Sequence, residues 1–114
     1  MIKLAAVSYV RLGTRDLEGA THFATEYLRL DVAEGAKGSV YFKADAREHT
    51  LCYFEGDPGD QVVCFEVEEQ SHLDEAATQL ESLGHPVRRG TASEAALRKV
   101  HDFIAFRDPT GNPI

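Results

Sequence analysis

Tyr9-Val10-Arg11-Leu12-Gly13-Thr14-Arg15-Asp16 and Val62-Val63-Cys64-Phe65-Glu66-Val67-Glu68-Glu69 are two alternating runs, each ending in an acidic residue. Alternation with a period of two is the mark of a strand whose two faces meet different surroundings. Each run leads into an amphipathic stretch with a leucine-rich end: Leu28-Arg29-Leu30-Asp31 in the first half, Leu80-Glu81-Ser82-Leu83-Gly84 in the second. The offset between the strands is 62 − 9 = 53 residues, just beyond the usual range of solenoid repeats. It fits two copies of one βαβ-like unit. A unit that cannot bury its own apolar face has to pair with its sister, so the surface between the halves is the expected place for a cleft.

Length and charge narrow the class. A chain of 114 residues supports one hydrophobic core and not two independent ones. Its formal net charge of −7 argues against nucleic-acid backbones and anionic membranes as partners, since both are polyanions. No apolar run approaches the roughly 20 residues of a membrane span. Met1-Ile2-Lys3-Leu4 passes straight into a strand pattern without the layout of a signal peptide, so a cytoplasmic location is expected. Cys52 and Cys64 each sit inside an apolar run and are expected to be reduced thiols that pack, in preference to a disulfide.

Along the chain, residues 5–14 read as a strand and Asp16 as the N-cap of a helix over residues 17–30, with apolar side chains at three- and four-residue spacings. A polar stretch with Gly35 and Gly38 follows, then strands over 39–44 and 50–55 joined by Asp45-Ala46-Arg47-Glu48-His49. Asp57-Pro58-Gly59-Asp60 is a turn by its chemistry and the expected joint between the halves. The second half repeats the order: a strand over 61–68, a helix over 71–83, a stop at Gly84-His85-Pro86, a short strand over 87–89, a helical turn within 91–99 and a strand over 103–107.

The five histidines are not spaced as ligand pairs and are expected to be solvated: His22 and His72 on helices, His49, His85 and His101 in or beside loops. A thiol becomes a nucleophile only beside a base or a positive charge, and nothing adjacent in sequence supplies one to Cys52 or Cys64. Glu66, Glu68 and Glu69 stand at a strand exit and a helix N-terminus, where the helix dipole favours negative charge. Gly-rich phosphate loops, Ser-His-Asp arrangements and CxxC pairs do not occur, and no catalytic residue is assigned.

The order β-α-β-β-β written twice resembles the vicinal oxygen chelate superfamily of glyoxalases, bleomycin and fosfomycin resistance proteins and extradiol dioxygenases. The resemblance rests on the first strand with Arg15-Asp16-Leu17-Glu18, on Val63-Cys64-Phe65-Glu66-Val67, and on Phe106-Arg107-Asp108-Pro109-Thr110-Gly111-Asn112-Pro113-Ile114. Tyr41-Phe42-Lys43-Ala44-Asp45-Ala46-Arg47-Glu48-His49 with Leu51, and Ala96-Leu97-Arg98-Lys99-Val100, look most like the N-terminal domain of two-domain extradiol dioxygenases. The fold this implies is α+β: two βαβββ modules, about residues 1–57 and 58–114, with mixed sheets curved around a cleft, helices on the outer faces, and the last strand missing or cut short. Val10, Leu12 and Thr14, with Val63, Phe65 and Val67, would then face the helices. Tyr9, Arg11, Cys52, Val62, Cys64 and Glu66 are the candidates to line the cleft, and an Arg11–Glu66 ion pair between the modules is favoured over binding of a polar ligand.

Members that use a metal place ligands on the first, fourth, fifth and eighth strands. The first three slots here hold Tyr9, Cys52 and Val62, and the fourth falls after Ile114. Valine offers no donor, so the resemblance implies no cofactor in this chain and Fe(II) or Mn(II) in a C-terminal domain of a longer parent. Two functions follow. One is the scaffold and partial active-site cover of a dioxygenase acting on a small aromatic substrate, possible as a homo-oligomer and with neither nucleic acid nor membrane as partner. The other is a stand-alone small-molecule-binding module of the resistance-protein type. Asn112-Pro113-Ile114 reads as the start of an eighth strand beside the fifth, so the natural chain is expected to continue past it.

Overall fold

The computed structural model describes residues 1–46 and 49–114. Arg47 and Glu48, part of the run that carried the subgroup resemblance, lie outside the described residues. The chain divides into two compact units, residues 8–64 and residues 1–7 with 65–114.

Residues 8–64 hold most of strand β1 (Ala6–Thr14), helix α1 (Leu17–His22), a π-helical turn (Phe23–Tyr27), strands β2 (Asp31–Ala36), β3 (Ser39–Lys43) and β4 (Leu51–Glu55), and most of β5 (Gln61–Glu66). The sheet order is β2-β3-β4-β1-β5. β1 runs parallel to β4, whereas β2–β3 and β3–β4 are antiparallel, so the sheet is mixed as the βαβββ order requires. Asp16 caps α1 as its position implies: Oδ1 accepts the Gly19 N–H at 2.9 Å and satisfies one of the donors that open a helix.

The expected single helix over 17–30 is corrected. After His22 the backbone widens, the Leu28 N–H reaching the Phe23 carbonyl at 3.2 Å, and Arg29 at φ 58° turns the chain into β2. The polar stretch with Gly35 is also corrected, since it is strand β2 with a register shift between Ala33 and Ala36. Glycine, alanine and acidic residues give an edge strand little sequence signal.

The other unit holds α2 (Gln70–Ser82), β6 (Arg88–Arg89), α3 (Ala92–Leu97) and β7 (Ile104–Ala105), with β6 and β7 antiparallel. Gly84 ends α2 at φ 86°, and the His85 N–H returns to the Leu80 carbonyl at 3.0 Å. The expected helical turn is α3, closed by a reciprocal capping box between Thr91 and Glu94. Residues 106–114 form a tight return in which Phe106 and Ile114 exchange backbone hydrogen bonds at 2.9 and 3.2 Å and Arg107 bridges to Pro113. Asp108 organises that turn by accepting the N–H groups of Thr110 and Asn112. The expected strand over 103–107 is only β7, and Ile114 pairs with Phe106 just past it, not beside the fifth strand as the sequence suggested. Among the described residues no helix is long and apolar enough to cross a membrane.

Exposed ion pairs join the segments of this unit. Arg88 binds Glu94 at 2.8 Å, and Arg89 binds both Asp74 and Asp102, the latter at 2.9 Å. Arg88 with the capping bond from Thr91 holds the Glu94 carboxyl down from its ordinary 4.5 to about 2. Bonds from Arg89 and Gln70 likewise lower Asp74, and those from Asn112 lower Asp108.

Two outcomes are expected. A Cβ at Gly13 would fall on the backbone carbonyl of Asp57, so Gly13→Ala should cost about 1–3 kcal/mol in urea unfolding by overpacking β1 against the β4–β5 turn. The second concerns acid. A depressed carboxylate stabilises the fold above its unfolded pKa and stops doing so as pH falls through the folded one. Between pH 4.5 and about 2 the natural chain should therefore lose more stability than Glu94→Gln, read from unfolding midpoints across that window.

Candidate functional site

The parallel register of β1 on β4 sets Arg11 opposite Cys52, and the antiparallel register of β3 on β4 sets Tyr41 opposite the same residue. Residues paired across neighbouring strands leave the sheet on one face, so Tyr41, Cys52 and Arg11 form a row there, with Tyr9 two residues from Arg11 on the same side. Along that row Nη1 of Arg11 donates to Cys52 Sγ at 3.8 Å, and its Cζ stands 5.1 Å from the centre of the Phe54 ring. His49, just before β4, packs between two tyrosines, its ring 4.4 Å from that of Tyr9 and 4.7 Å from that of Tyr41.

This face is filled. Tyr9 is 5% exposed, Arg11 8%, Tyr41 1%, His49 3% and Cys52 0%. The opposite positions of β1, Val10, Leu12 and Thr14, are only half-buried, and Phe65, expected to face a helix, is exposed. On β1 the face rich in polar atoms is thus more thoroughly covered than its apolar counterpart. The expectation of five solvated histidines is corrected for His49. Nothing adjacent in sequence brings a positive charge to Cys52, but the fold does: Arg11 reaches its sulfur from 41 residues away.

Of the other candidates, Val62 and Cys64 are half-buried on β5. Glu66 ends β5 in the unit that holds residues 65–114, and its backbone carbonyl accepts the Ala5 N–H at 2.8 Å. The structure thus groups Tyr9, Arg11 and Cys52, and adds Tyr41, His49 and Phe54. The alternation of 39–43 and 51–55 carried a signal for Tyr41 and Phe54. For His49 the polar run before it hid the burial.

The donor set does not fit a transition metal. Valine has no lone pair to give, the Cys52 sulfur faces a guanidinium, and a second cation there would be repelled by the first. Among the described residues no group of three or more His, Cys, Asp or Glu side chains is gathered as a ligand set.

Comparison with known proteins converges on one family. The model of the Glyoxalase/Bleomycin resistance protein/Dioxygenase superfamily matches residues 6–114. An iron-dependent extradiol dioxygenase of Rhodococcus jostii (strain RHA1) is 24% identical over 99% of this chain, which spans 38% of that protein's length. A crystal structure of catechol 2,3-dioxygenase superposes with a TM-score of 0.87 at 26% identity, covering 97% of this chain and 38% of that one. Homoprotocatechuate 2,3-dioxygenase from Arthrobacter globiformis superposes at 0.82 with 21% identity, covering 98% and 35%. The chain is therefore similar to a domain-sized part of each.

Metal analysis checks the reading of the donor set. After dialysis against buffer with added Fe(II) or Zn(II), less than a stoichiometric amount of metal should remain on the chain. One tightly held transition metal per chain, lost on Cys52→Ser, would overturn it.

Proposed function

Because the chain belongs to the Glyoxalase/Bleomycin resistance protein/Dioxygenase superfamily, we propose that it is the N-terminal, non-catalytic domain of an extradiol dioxygenase. The parent would open a catechol-type ring with O₂, using Fe(II) or Mn(II) held by a C-terminal domain. This domain would serve as scaffold and partial cover of that active site, in a cytoplasmic protein that acts on a small aromatic substrate.

The observation that carries the reading is the filled face. A stand-alone binding module needs Tyr9, Arg11 and Cys52 open to a ligand, and none of them is more than 8% exposed. Packing of that kind suits a domain whose role is shape. The limited share of each relative that the chain spans supports the same division of labour. Neither cysteine is in a disulfide, which suits a reducing compartment.

Two measurements test this. The complete reading frame should continue into a further domain with two histidines and a glutamate placed as ligands, and its product with Fe(II) in air should turn a catechol yellow. Residues 1–114 alone should give no protein-dependent colour. Ring cleavage by this chain alone would overturn the reading, and so would a natural frame that ends here with micromolar binding of a small molecule at the Tyr9–Arg11 face.

A further inference from the structure

The π-helical turn after α1 sends its small apolar side chain inward and its large ones out. Ala24 is fully enclosed, whereas Phe23, Tyr27 and Leu28 stand exposed. α1 itself packs over β3 and β4 without fully burying any of its own residues. A helical segment that served the core alone would place these side chains the other way round.

The exposed groups are also ordered. The widened turn, closed by the Leu28 N–H on the Phe23 carbonyl at 3.2 Å, brings side chains four residues apart nearly into line. The Phe23 and Tyr27 rings stack at 5.8 Å, and the His22 ring meets Tyr27 edge-on at 6.1 Å. Tyr27 keeps 71% of its surface open, so these contacts fix its direction without burying it. Val32, on the edge strand β2 that the turn feeds, is exposed as well. An exposed cluster of aromatic and apolar side chains marks a surface made to be covered.

Charge selects what covers it. The chain carries −7, so a second copy is repelled by the net charge and can approach only where the surface is locally balanced. Residues 22–30 hold one acid and one base, Glu26 and Arg29, and are neutral in sum. Both side chains are exposed, and among the described residues neither makes an ion pair within its own chain. A two-fold interface needs a surface that complements itself, because whatever a residue meets on the other copy is met in turn by its own equivalent. A free acid and a free base beside two stacked rings meet that condition, since Glu26 of each copy can face Arg29 of the other.

We propose that a second copy of this chain docks on this face, with Phe23 and Tyr27 at the centre of a two-fold interface and Glu26–Arg29 pairs on its rim. The rings supply the binding, and the rim charges set the register. This assignment does not depend on the scaffold role.

Sedimentation equilibrium of the chain tests it. A dimer with a dissociation constant in the micromolar range is expected. Tyr27→Ser should weaken it by at least about tenfold with an unchanged circular dichroism spectrum. Glu26→Arg and Arg29→Glu should each be monomeric where the natural chain is dimeric. An equimolar mixture of the two should dimerise again, because the exchanged charges then meet across the interface. If Arg29→Glu does not fold, Glu26→Arg against Glu26→Gln decides: a greater weakening by Arg supports the contact, and an equal one refutes it. A chain that stays monomeric at millimolar concentration, a dimer indifferent to Tyr27→Ser, or folded charge variants that do not recover on mixing would overturn the proposal.

Discussion

A guanidinium keeps its charge at any pH a folded protein meets, so burying Arg11 obliges the strands around it to be arranged for a cation. β1 lies between β4 and β5 in the sheet, which places Arg11 well inside its edges. Its partner across β4 is Cys52, and the partner of Cys52 across β3 is Tyr41. A slip of one residue in either pairing would send Arg11 or Cys52 to the opposite face, where Phe42 and Tyr53 pack edge to face at 6.0 Å. The charge would then sit in an apolar layer without sulfur or the Phe54 ring to receive it. Register, burial and charge are one constraint here.

That constraint also bears on what the domain can do. A site for catalysis or capture leaves polar groups uncommitted and open to a ligand. On this face the donors and rings are spent on one another: His49 between Tyr9 and Tyr41, Arg11 on Cys52 and Phe54. The family's fold accommodates both arrangements because function lies in the residues grafted onto it. Here the residues grafted onto β1, β3 and β4 make a polar core.

Much of the fold was legible because local chemistry repeats it. The alternation of residues 9–14 and 62–66 marked β1 and β5, Asp16 marked its helix, and Gly84 marked the end of α2. The alanine-rich run of 91–99 announced α3, whose start the Thr91–Glu94 capping box fixes. What escaped depends on distance in sequence. The widened turn at Phe23–Tyr27 keeps the apolar spacing of an ordinary helix, so periodicity cannot separate them. Tyr9 and Arg11 were legible as one face from alternation, and Cys52 joined them only through the family resemblance. That the face would be closed, with His49 inside it, follows from side-chain volumes meeting across three strands. The Arg11–Cys52 contact needs a parallel register, which no local turn sets and no spacing reveals.

The two units spend charge in opposite ways although the sequence gives them one plan. In residues 8–64 a cation is enclosed, and its energetics are those of a low-dielectric interior. In the other unit Arg89 joins Asp74 of α2 to Asp102 ahead of β7, Gln70 reaches Asp102 at 3.1 Å, and Arg88 reaches Glu94, all with solvent access. Exposed pairs are individually weak and are screened by salt. They matter here because β6 and β7 are each two residues long and form few ladder bonds of their own. Side chains therefore take over what backbone pairing does elsewhere, and Arg89 ties a helix, a strand and a loop that the short strands could not align. Salt and acid act first on such a network, whereas the enclosed Arg11 responds to packing. The same repeat thus carries one unit organised by burial and one organised by its surface.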